Sequence, residues 1–161
     1  MFKDIQLPKQ IIKEGLDQEV LAYFEKNSTP LYEDSEMQIP QVPITPTFHS
    51  HIFYAESLGN IEIGFENIEV FLKREKFGIE KAGNSSSRIS RILLLSNDGS
   101  KRFYKQVEFI KEDRLLVIRL DVPSDEFGKI LGLKKKIIKA ALITHKLSVG
   151  NILTHMINDV K

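Results

Sequence analysis

Apolar and polar residues follow two different periods along this chain, and each change of period marks a predicted element. Between residue 9 and about residue 26, apolar positions recur three or four apart, which is typical of an amphipathic helix. Four of the six prolines then fall between residues 30 and 46, where their missing N–H donors disfavour a helix or a central strand. We expect this proline-rich segment to be a surface connector or an extended arm for a partner.

The middle of the chain predicts short elements of both kinds. Strand-like sequence occurs at residues 51–56 and 60–63, separated by a turn that contains Gly59. After Gly64 the apolar positions take a helical spacing that continues to about residue 76. Residues 81–87 are rich in glycine and serine, so we expect a flexible loop there.

Beyond residue 88 the pattern alternates between strand and helix three times. The strand segments are apolar on both faces, as a sheet covered by helices on both sides requires. The sequence therefore predicts an α/β fold, a three-layer α/β/α sandwich with a mostly parallel sheet. Its strands are predicted at residues 89–95, 115–120 and 137–143, and its helices at 101–111, 124–132 and 148–160.

Composition narrows the classes of protein to consider. The 161 residues include no cysteine, which excludes disulfides, cysteine-bound zinc and thiol catalysis. No segment approaches the roughly 18 consecutive apolar residues of a membrane span, and the first residues lack the apolar run of a signal peptide. We expect a soluble, cytoplasmic protein with no membrane partner.

The net charge of +1 hides a difference between the two halves of the chain. Residues 1–87 carry a balance of −6, whereas residues 88–161 carry +7. A basic half favours a polyanionic partner, since a phosphate responds to the local field within about one Debye length, roughly 8 to 10 Å. The alternative is that the two halves attract each other within one domain.

The predicted start of the helix after Gly64 is one candidate binding site. The first turn of a helix presents backbone N–H groups and a partial positive charge, which favour a phosphate. Gly64 allows close approach of the backbone, and Asn67 offers both a donor and an acceptor. An ordinary helix start explains the same residues.

Two further groups are candidates for contact with phosphates. Thr144, His145 and Lys146 follow the last predicted strand, where open α/β sheets form a binding crevice at the carboxyl ends of strands; a plain turn is the alternative. The densest basic cluster can contact phosphates or serve as a solvated face. It comprises Lys134, Lys135, Lys136 and Lys139.

Catalytic and metal-binding patterns are few. Asp98 and Asp121 each follow a predicted strand and can share a divalent metal, although Asp98 also suits a turn. His49 and His51 can lie on one side of a strand, but no cysteine or nearby carboxylate completes a site. The phosphate-loop, dinucleotide and nucleophile-elbow motifs do not occur. We assign no catalytic residue, metal or cofactor.

Three stretches carry a resemblance to a known family. Residues 60–68 (NIEIGFENI), 92–100 (ILLLSNDGS) and 124–143 (SDEFGKILGLKKKIIKAALI) resemble the kink-turn-binding ribosomal-protein superfamily, which includes the pelota-type RNA-binding domain and the third domain of class-one release factors. The resemblance implies an RNA-binding-like α/β/α domain at residues 59–161. Residues 1–58 remain as an N-terminal helix and arm.

The leading hypothesis is a non-enzymatic RNA-binding or ribosome-associated protein. One alternative is a nucleotide-binding or metal-dependent enzyme that uses Asp98 and Asp121, and another is an adaptor that binds a protein through the proline-rich arm. The predicted RNA-binding residues are Gly64, Glu66, Asn67, Lys134, Lys135, Lys136, Lys139, Thr144, His145 and Lys146.

Overall fold

Glycines, prolines and capping residues set the ends of the elements in this computed structural model, which describes residues 2, 4–83, 87–133 and 136–158. Within these residues the chain forms seven helices and six strands. The helices are α1 (Lys9–Lys13), α2 (Asp17–Lys26), α3 (Pro46–Ser57), α4 (Phe65–Lys81), α5 (Lys101–Phe109), α6 (Ser124–Ile130) and α7 (Lys146–Asn158). The strands are β1 (Ser28–Pro30), β2 (Gln38–Val42), β3 (Ile61–Ile63), β4 (Arg91–Leu95), β5 (Leu115–Leu120) and β6 (Ala140–Ile143).

The six strands form one mixed sheet in the order β1-β2-β5-β4-β6-β3. Strand β5 runs parallel to both β2 and β4. The β1–β2, β3–β6 and β4–β6 pairs are antiparallel. The α/β class is therefore confirmed, whereas the predicted mostly parallel sheet is not, because the sheet is mixed.

Strand β6 runs against the direction of β4 and β5. The connection from β5 passes through α6 and then through residues 131–139 before β6 begins. Strand β6 begins beside the end of β4, where the Ser96 N–H donates to the Lys139 carbonyl at 3.0 Å.

Buried side chains form two apolar clusters on opposite faces of the sheet. Along β4, Ile92 and Leu94 join one cluster, and Leu93 and Leu95 join the other. The first cluster includes residues of α1, α2, α3, α6 and α7. The second includes residues of α4 and α5. Successive residues of β4 are therefore buried in different clusters, as a strand that is apolar on both faces requires.

The N-terminal segment forms two helices, where the sequence predicted one. Gly15 separates α1 from α2 with a φ of +72°, in the left-handed region that glycine enters without a Cβ clash. Both helices bury apolar side chains, Ile11 from α1 and Val20 and Phe24 from α2. These side chains share a cluster with residues of β4 and α7, so the segment packs on the sheet.

Residues 51–56 belong to helix α3, so the strand predicted there is wrong. The Oγ1 atom of Thr45 accepts a hydrogen bond from the Phe48 N–H at 3.1 Å and caps the helix. Phe48, Ile52 and Ala55 are buried at helical spacing. The alternation at 51–56 is a short part of this longer helical stripe.

The proline-rich segment contributes β2, although its composition disfavours a central strand. Strand β2 pairs with β1 on one side and with β5 on the other. Pro40 faces Ser28 of β1, and the next residue, Gln41, donates its N–H to the Asn27 carbonyl at 2.9 Å. The ladder continues past the proline because a neighbouring residue supplies the donor.

The later elements follow the predicted order of strands and helices. Strand β5 has the predicted bounds, and α4 continues beyond its predicted end to Lys81. Residues 84–86 of the predicted loop and residues 159–160 of the predicted last helix lie outside the described residues. None of the described helices is long and apolar enough to cross a membrane.

Candidate nucleic-acid interface

The predicted site at the start of α4 is fastened to the sheet. Gly64 has a φ of +92° and directly precedes the helix, and its N–H donates to the Ala140 carbonyl of β6 at 3.4 Å. The exposed Asn67 donates its Nδ2 to the Ile63 carbonyl at 3.0 Å. Glu66 is exposed in the first turn, where the helix dipole favours a carboxylate. The amide of Asn67 therefore already has one structural role.

The sheet brings Lys139 to the same end as the start of α4. Lys139 precedes β6, and β6 runs antiparallel to β3, whose Ile63 faces Ala141. The Lys139 Nζ lies 6.0 Å from the centre of the Phe103 ring. Phe103 in turn packs edge-on against Phe65, with ring centres 5.5 Å apart. A lysine and two aromatic rings thus link β6, α5 and α4.

An open groove of about 550 Å³ runs between α4 and α5, and we call it the α4–α5 groove. Phe109 is 91% exposed beside it. Among the described residues that line the groove, three are cations and one is a carboxylate. The lining residues are Phe65, Glu69, Lys101, Arg102, Lys105, Gln106 and Phe109.

Hydrogen bonds at the start of α5 fix the helix that carries the cations. The Oγ of Ser100 accepts from the Phe103 N–H at 3.1 Å and caps the helix. The buried Tyr104 donates its OH to the Ser96 carbonyl at 2.8 Å and accepts from the Gly99 N–H at 3.0 Å. The backbone of α5 is therefore held in place, while its lysine side chains remain exposed.

A third aromatic ring, Tyr32, lies next to the groove. The Nζ atoms of Lys101 and Lys105 lie 5.8 and 5.9 Å from its ring centre, within the range of cation–π attraction. The Tyr32 OH donates to Glu108 at 2.7 Å, and the Ser35 Oγ donates to the same carboxylate at 2.8 Å. These bonds hold the segment between β1 and β2 against α5.

The pKa values of Tyr32 and Glu108 are shifted in opposite directions. The hydrogen bond from Tyr32 is the main cause that holds the pKa of Glu108 below its usual value, and the bond from Ser35 adds to it. The same bond to Glu108 raises the pKa of Tyr32, and burial adds to the shift. The contact is therefore made by a neutral phenol and an ionised carboxylate.

The predicted lysine cluster is only partly described. Lys136 is exposed, and its N–H donates to the Leu133 carbonyl at 3.3 Å. Lys134 and Lys135 lie outside the described residues. Lys139 is the member of this cluster that contacts an aromatic ring near the groove, within the part of the chain that the structure describes.

Thr144, His145 and Lys146 lie at the other end of the sheet, which corrects the predicted crevice. Strand β6 is antiparallel to β4, so its carboxyl end lies beside the amino end of β4, where Ile143 faces Ile92. The Thr144 N–H donates to the Asn60 carbonyl at 2.9 Å. These residues are therefore not brought together with Gly64 and Asn67.

His145 has a local role at the start of α7. Its Nδ1 accepts a hydrogen bond from the Leu147 N–H at 3.1 Å, and its carbonyl accepts from the Val149 N–H at 3.0 Å. The side chain thereby satisfies a backbone donor in the first turn of the helix. Lys146 is the first helical residue and is exposed.

The carboxylates of Asp98 and Asp121 make separate hydrogen bonds. Asp98 Oδ2 accepts from the N–H of Ser124 at 3.1 Å and from its Oγ at 2.7 Å. Asp121 Oδ1 accepts from the Asn97 Nδ2 at 3.3 Å. Ser124 is the first residue of α6, and its N–H donates to Asp98. Asp98 thus ties the end of β4 to α6.

The pKa of Asp98 reflects this structural role. Burial is the largest single cause and would raise the pKa, but the pKa is lowered overall, mainly by the hydrogen bonds from the N–H and Oγ of Ser124. Among the described residues, no group of three or more His, Asp or Glu side chains is placed to hold a metal ion.

The predicted pairing of His49 with His51 does not occur. Both residues lie in α3, where positions two apart point in different directions and do not face each other. The ring of His51 instead stacks on that of His155 in α7, with ring centres 4.1 Å apart.

Sequence reasoning missed most of the groove. Phe65, Lys101, Arg102, Lys105 and Phe109 line it, although none was predicted as a site residue. A signal was present, because positions 101, 105 and 109 recur four apart and share one helix face. No site residue was predicted in the helix at 101–111, so its basic and aromatic face was not identified.

A scan against protein-family models found no match for this chain, and a search of curated proteins found none either. The resemblance to the kink-turn-binding superfamily therefore rests on the three stretches of sequence quoted above and stays a prediction. Function has to be argued from the chemistry of the site.

Proposed function

We propose that this protein is a non-enzymatic RNA-binding protein that holds a single-stranded segment of RNA along the α4–α5 groove. The observation that carries the proposal is the nearly complete exposure of Phe109, at 91%, in a groove lined by Lys101, Arg102 and Lys105. In this proposal, α4 and α5 form the outer layer of an α/β/α sandwich that presents the groove to RNA.

The two kinds of side chain in the groove suit the two parts of a nucleotide. Stacking of a base on an aromatic side chain contributes about 1 to 3 kcal/mol and does not depend on sequence. Lysine and arginine neutralise phosphates and release counterions. One exposed phenylalanine is ordinary on a protein surface, so the neighbouring cations are what favour RNA.

The groove favours a single strand over a duplex. An exposed ring such as Phe109 can stack only on a base that is itself unstacked, and bases in an A-form helix are stacked on each other. Lys101 and Lys105 stand one helical turn apart, about 6 Å, and can contact successive phosphates of an extended strand.

Neighbouring basic residues extend the path beyond the groove. Lys139 contacts the ring of Phe103, which packs against Phe65 in the groove. The start of α4 lies at the same end of the sheet as Lys139. Association with ribosomal RNA, which the family resemblance implies, uses the same chemistry. The excess of positive charge in residues 88–161 favours it further.

The test is fluorescence anisotropy of a labelled single-stranded RNA of about 12 nucleotides, a length within the usual site sizes of single-strand binders. The triple variant Lys101→Gln, Arg102→Gln and Lys105→Gln should lower the slope of log affinity against log salt by about 2, since each lost contact removes about 0.7. Phe109→Ser should weaken binding by roughly 5- to 100-fold and leave the slope unchanged.

A matched control carries the same change of charge elsewhere. Lys13, Lys26 and Lys129 are exposed on α1, α2 and α6, whose buried residues pack on the other face of the sheet. Their replacement by glutamine should leave the salt slope near that of the wild type. The proposal would be contradicted if this control lowered the salt slope as much as the triple variant of α5, or if the wild type bound no RNA at low salt.

A further inference from the structure

A second cavity, of about 820 Å³, lies at the end of the sheet where β4 and β5 begin. Five cationic side chains and one carboxylate are among the described residues that line it. They are Lys9, Arg88, Arg91, Arg114, Lys146 and Glu75. We call this cavity the arginine pocket.

Two guanidinium groups are fixed in the pocket by one carboxylate. Arg91 donates its Nε to both oxygens of Glu75 at 3.1 Å and its Nη2 to one of them. Arg114 donates its Nη1 to the other oxygen of Glu75, and its Nε lies 2.7 Å from Glu112. The side chains of Arg91, Arg114 and Glu75 are 14%, 8% and 18% exposed. This part of the pocket is therefore rigid before any ligand binds.

The remaining cations come from segments that are distant in the sequence. Arg88 donates its Nη1 to the Leu7 carbonyl at 2.6 Å, which fastens it to the segment before α1. Lys9 and Lys146 are exposed at the rim, at the first residues of α1 and α7. The 13-residue helix α7 also begins at this rim, and its dipole adds positive potential there.

The charges of the pocket do not balance among its own residues. Glu75 and Glu112 offset Arg91 and Arg114, while Lys9 and Lys146 carry positive charge at the rim. A cavity with this excess attracts a ligand that concentrates negative charge in a small volume. A terminal phosphate carries about −1.5 to −2 at pH 7, and the adjoining phosphate of a diphosphate adds to it.

The size and the apolar part of the lining narrow the class of ligand. Cavities of roughly 300 to 1,000 Å³ hold small molecules of cofactor size. Ile79, Ile89 and Leu147 line the same cavity and provide apolar surface for an uncharged group. We infer that the arginine pocket binds a nucleoside diphosphate, with its phosphates at Lys9 and Lys146 and its base against Ile79 and Leu147.

A free nucleotide fits this pocket better than the backbone of RNA. An RNA strand carries one charge per nucleotide, so it places three charges in one cavity only at a phosphorylated end. The inference is independent of the proposed function, since none of the residues named for the pocket lines the α4–α5 groove.

The experiment is isothermal titration calorimetry of the full chain with ADP, pyrophosphate and adenosine as probes. ADP and pyrophosphate should bind, and adenosine should bind at least tenfold more weakly than ADP because it lacks the charged group. The double variant Lys9→Gln and Lys146→Gln should weaken ADP binding by about tenfold or more. Both residues are exposed, so an unchanged thermal unfolding temperature should show that the variant folds.

The control variant Lys13→Gln and Lys129→Gln removes the same charge at exposed positions that do not line the pocket and should bind ADP like the wild type. The inference would be overturned if neither ADP nor pyrophosphate bound at about 5 mM, a concentration at which even millimolar affinity is detected. It would also be overturned if adenosine bound as well as ADP, or if the double variant of Lys9 and Lys146 bound ADP like the wild type. Displacement of ADP by a 5′-phosphorylated RNA that binds more tightly would overturn it as well. The triple variant of α5 should keep its affinity for ADP, which separates failure here from failure of the RNA proposal.

Discussion

The α4–α5 groove and the arginine pocket are both basic, but they hold their cations in different ways. In the groove, Lys101, Arg102 and Lys105 are exposed side chains on a fixed helix. In the pocket, Arg91 and Arg114 are mostly buried and bound to carboxylates. The groove thus carries its charge on exposed side chains, whereas the pocket combines two fixed guanidinium groups with the exposed Lys9 and Lys146 at its rim.

This difference predicts different kinds of recognition. Mobile lysines lose side-chain entropy when they bind, and they attract any phosphate backbone with a strength that falls as the salt concentration rises. In the pocket, the fixed guanidinium groups and their carboxylates keep the walls in one shape, and that shape selects among the ligands that the rim lysines attract. We expect broad, salt-sensitive binding at the groove and narrow binding in the pocket.

The largest expected effect comes from removing a fixed cation. Arg114→Met should lower the free energy of unfolding by about 3 kcal/mol, because it leaves Glu75 and Glu112 with less compensation in a mostly buried site. Lys105→Met removes a mobile cation at an exposed position and should change stability by no more than about 0.5 kcal/mol. Urea unfolding followed by circular dichroism measures both. Equal effects would show that the two sites do not differ as proposed.

The regular part of the fold was predictable because local patterns decide it. Strand β5 and the order of elements after residue 88 follow from apolar runs bounded by turn residues. Helix α3 was not predicted, because the alternation of residues 51–56 indicated a strand, although the helical spacing that starts at Phe48 is longer. The direction of β6 was also missed, because the apolar pattern of a strand does not indicate which way it runs in the sheet.

The two basic sites could be predicted only in part. The groove joins residues of α4 and α5 that lie about 40 positions apart in the sequence, and a spacing rule reaches only the residues within one helix. The pocket draws on α1, α4, α7 and the starts of β4 and β5. No local pattern places Arg88 beside Lys146, because the packing of the helices on the sheet brings them together.

The next largest effect is expected for the predicted lysine cluster, whose contribution to RNA binding should depend on salt as that of the groove does. Replacing Lys134, Lys135, Lys136 and Lys139 with glutamine should flatten the salt slope of RNA binding by up to about 3, since each phosphate contact with a single strand contributes about 0.7. The affinity for ADP should not change. An unchanged slope would remove the cluster from the RNA site, and a loss of ADP binding would assign it to the pocket instead.

A smaller effect should appear in the pH dependence of stability. The lowered pKa of Glu108 means that its bond with Tyr32 stabilises the fold above the unfolded-state pKa, and this contribution disappears as pH falls through the folded pKa. The pKa of Tyr32 is raised, so stability depends on its titration in the opposite direction. Its contribution to stability is present below the unfolded-state pKa, about 10, and disappears as pH rises through the folded pKa.

Glu108→Gln should therefore flatten the decline in unfolding temperature at both ends of the pH range. Thermal unfolding by circular dichroism, carried below the usual carboxyl pKa and above the usual phenol pKa of about 10, measures both changes. The exposed variant Glu80→Gln should follow the wild type. If Glu108→Gln also followed the wild type, the bond between Tyr32 and Glu108 would not hold the β1–β2 segment against α5.

The smallest effect is expected at Asn67, a polar side chain whose position is fixed although it is exposed. Its Nδ2 donates to the Ile63 carbonyl, and we expect its Oδ1 to accept a hydrogen bond from a base or sugar. Asn67→Ala should weaken binding to a preferred RNA by roughly 2- to 10-fold, the worth of one neutral hydrogen bond. The salt slope should stay the same, because no ion is released.

Asn67→Asp separates contact with RNA from the structural role of this residue. It keeps the acceptor and loses the bond to Ile63, so any fall in unfolding temperature that it shares with Asn67→Ala comes from that bond. Asn158→Ala, exposed near the end of α7, is the control for loss of an exposed amide. A changed salt slope in Asn67→Ala would mean that the start of α4 acts on RNA through charge, as the lysines of the groove do. Unchanged affinity would remove Asn67 from the site and leave RNA binding to α5 alone.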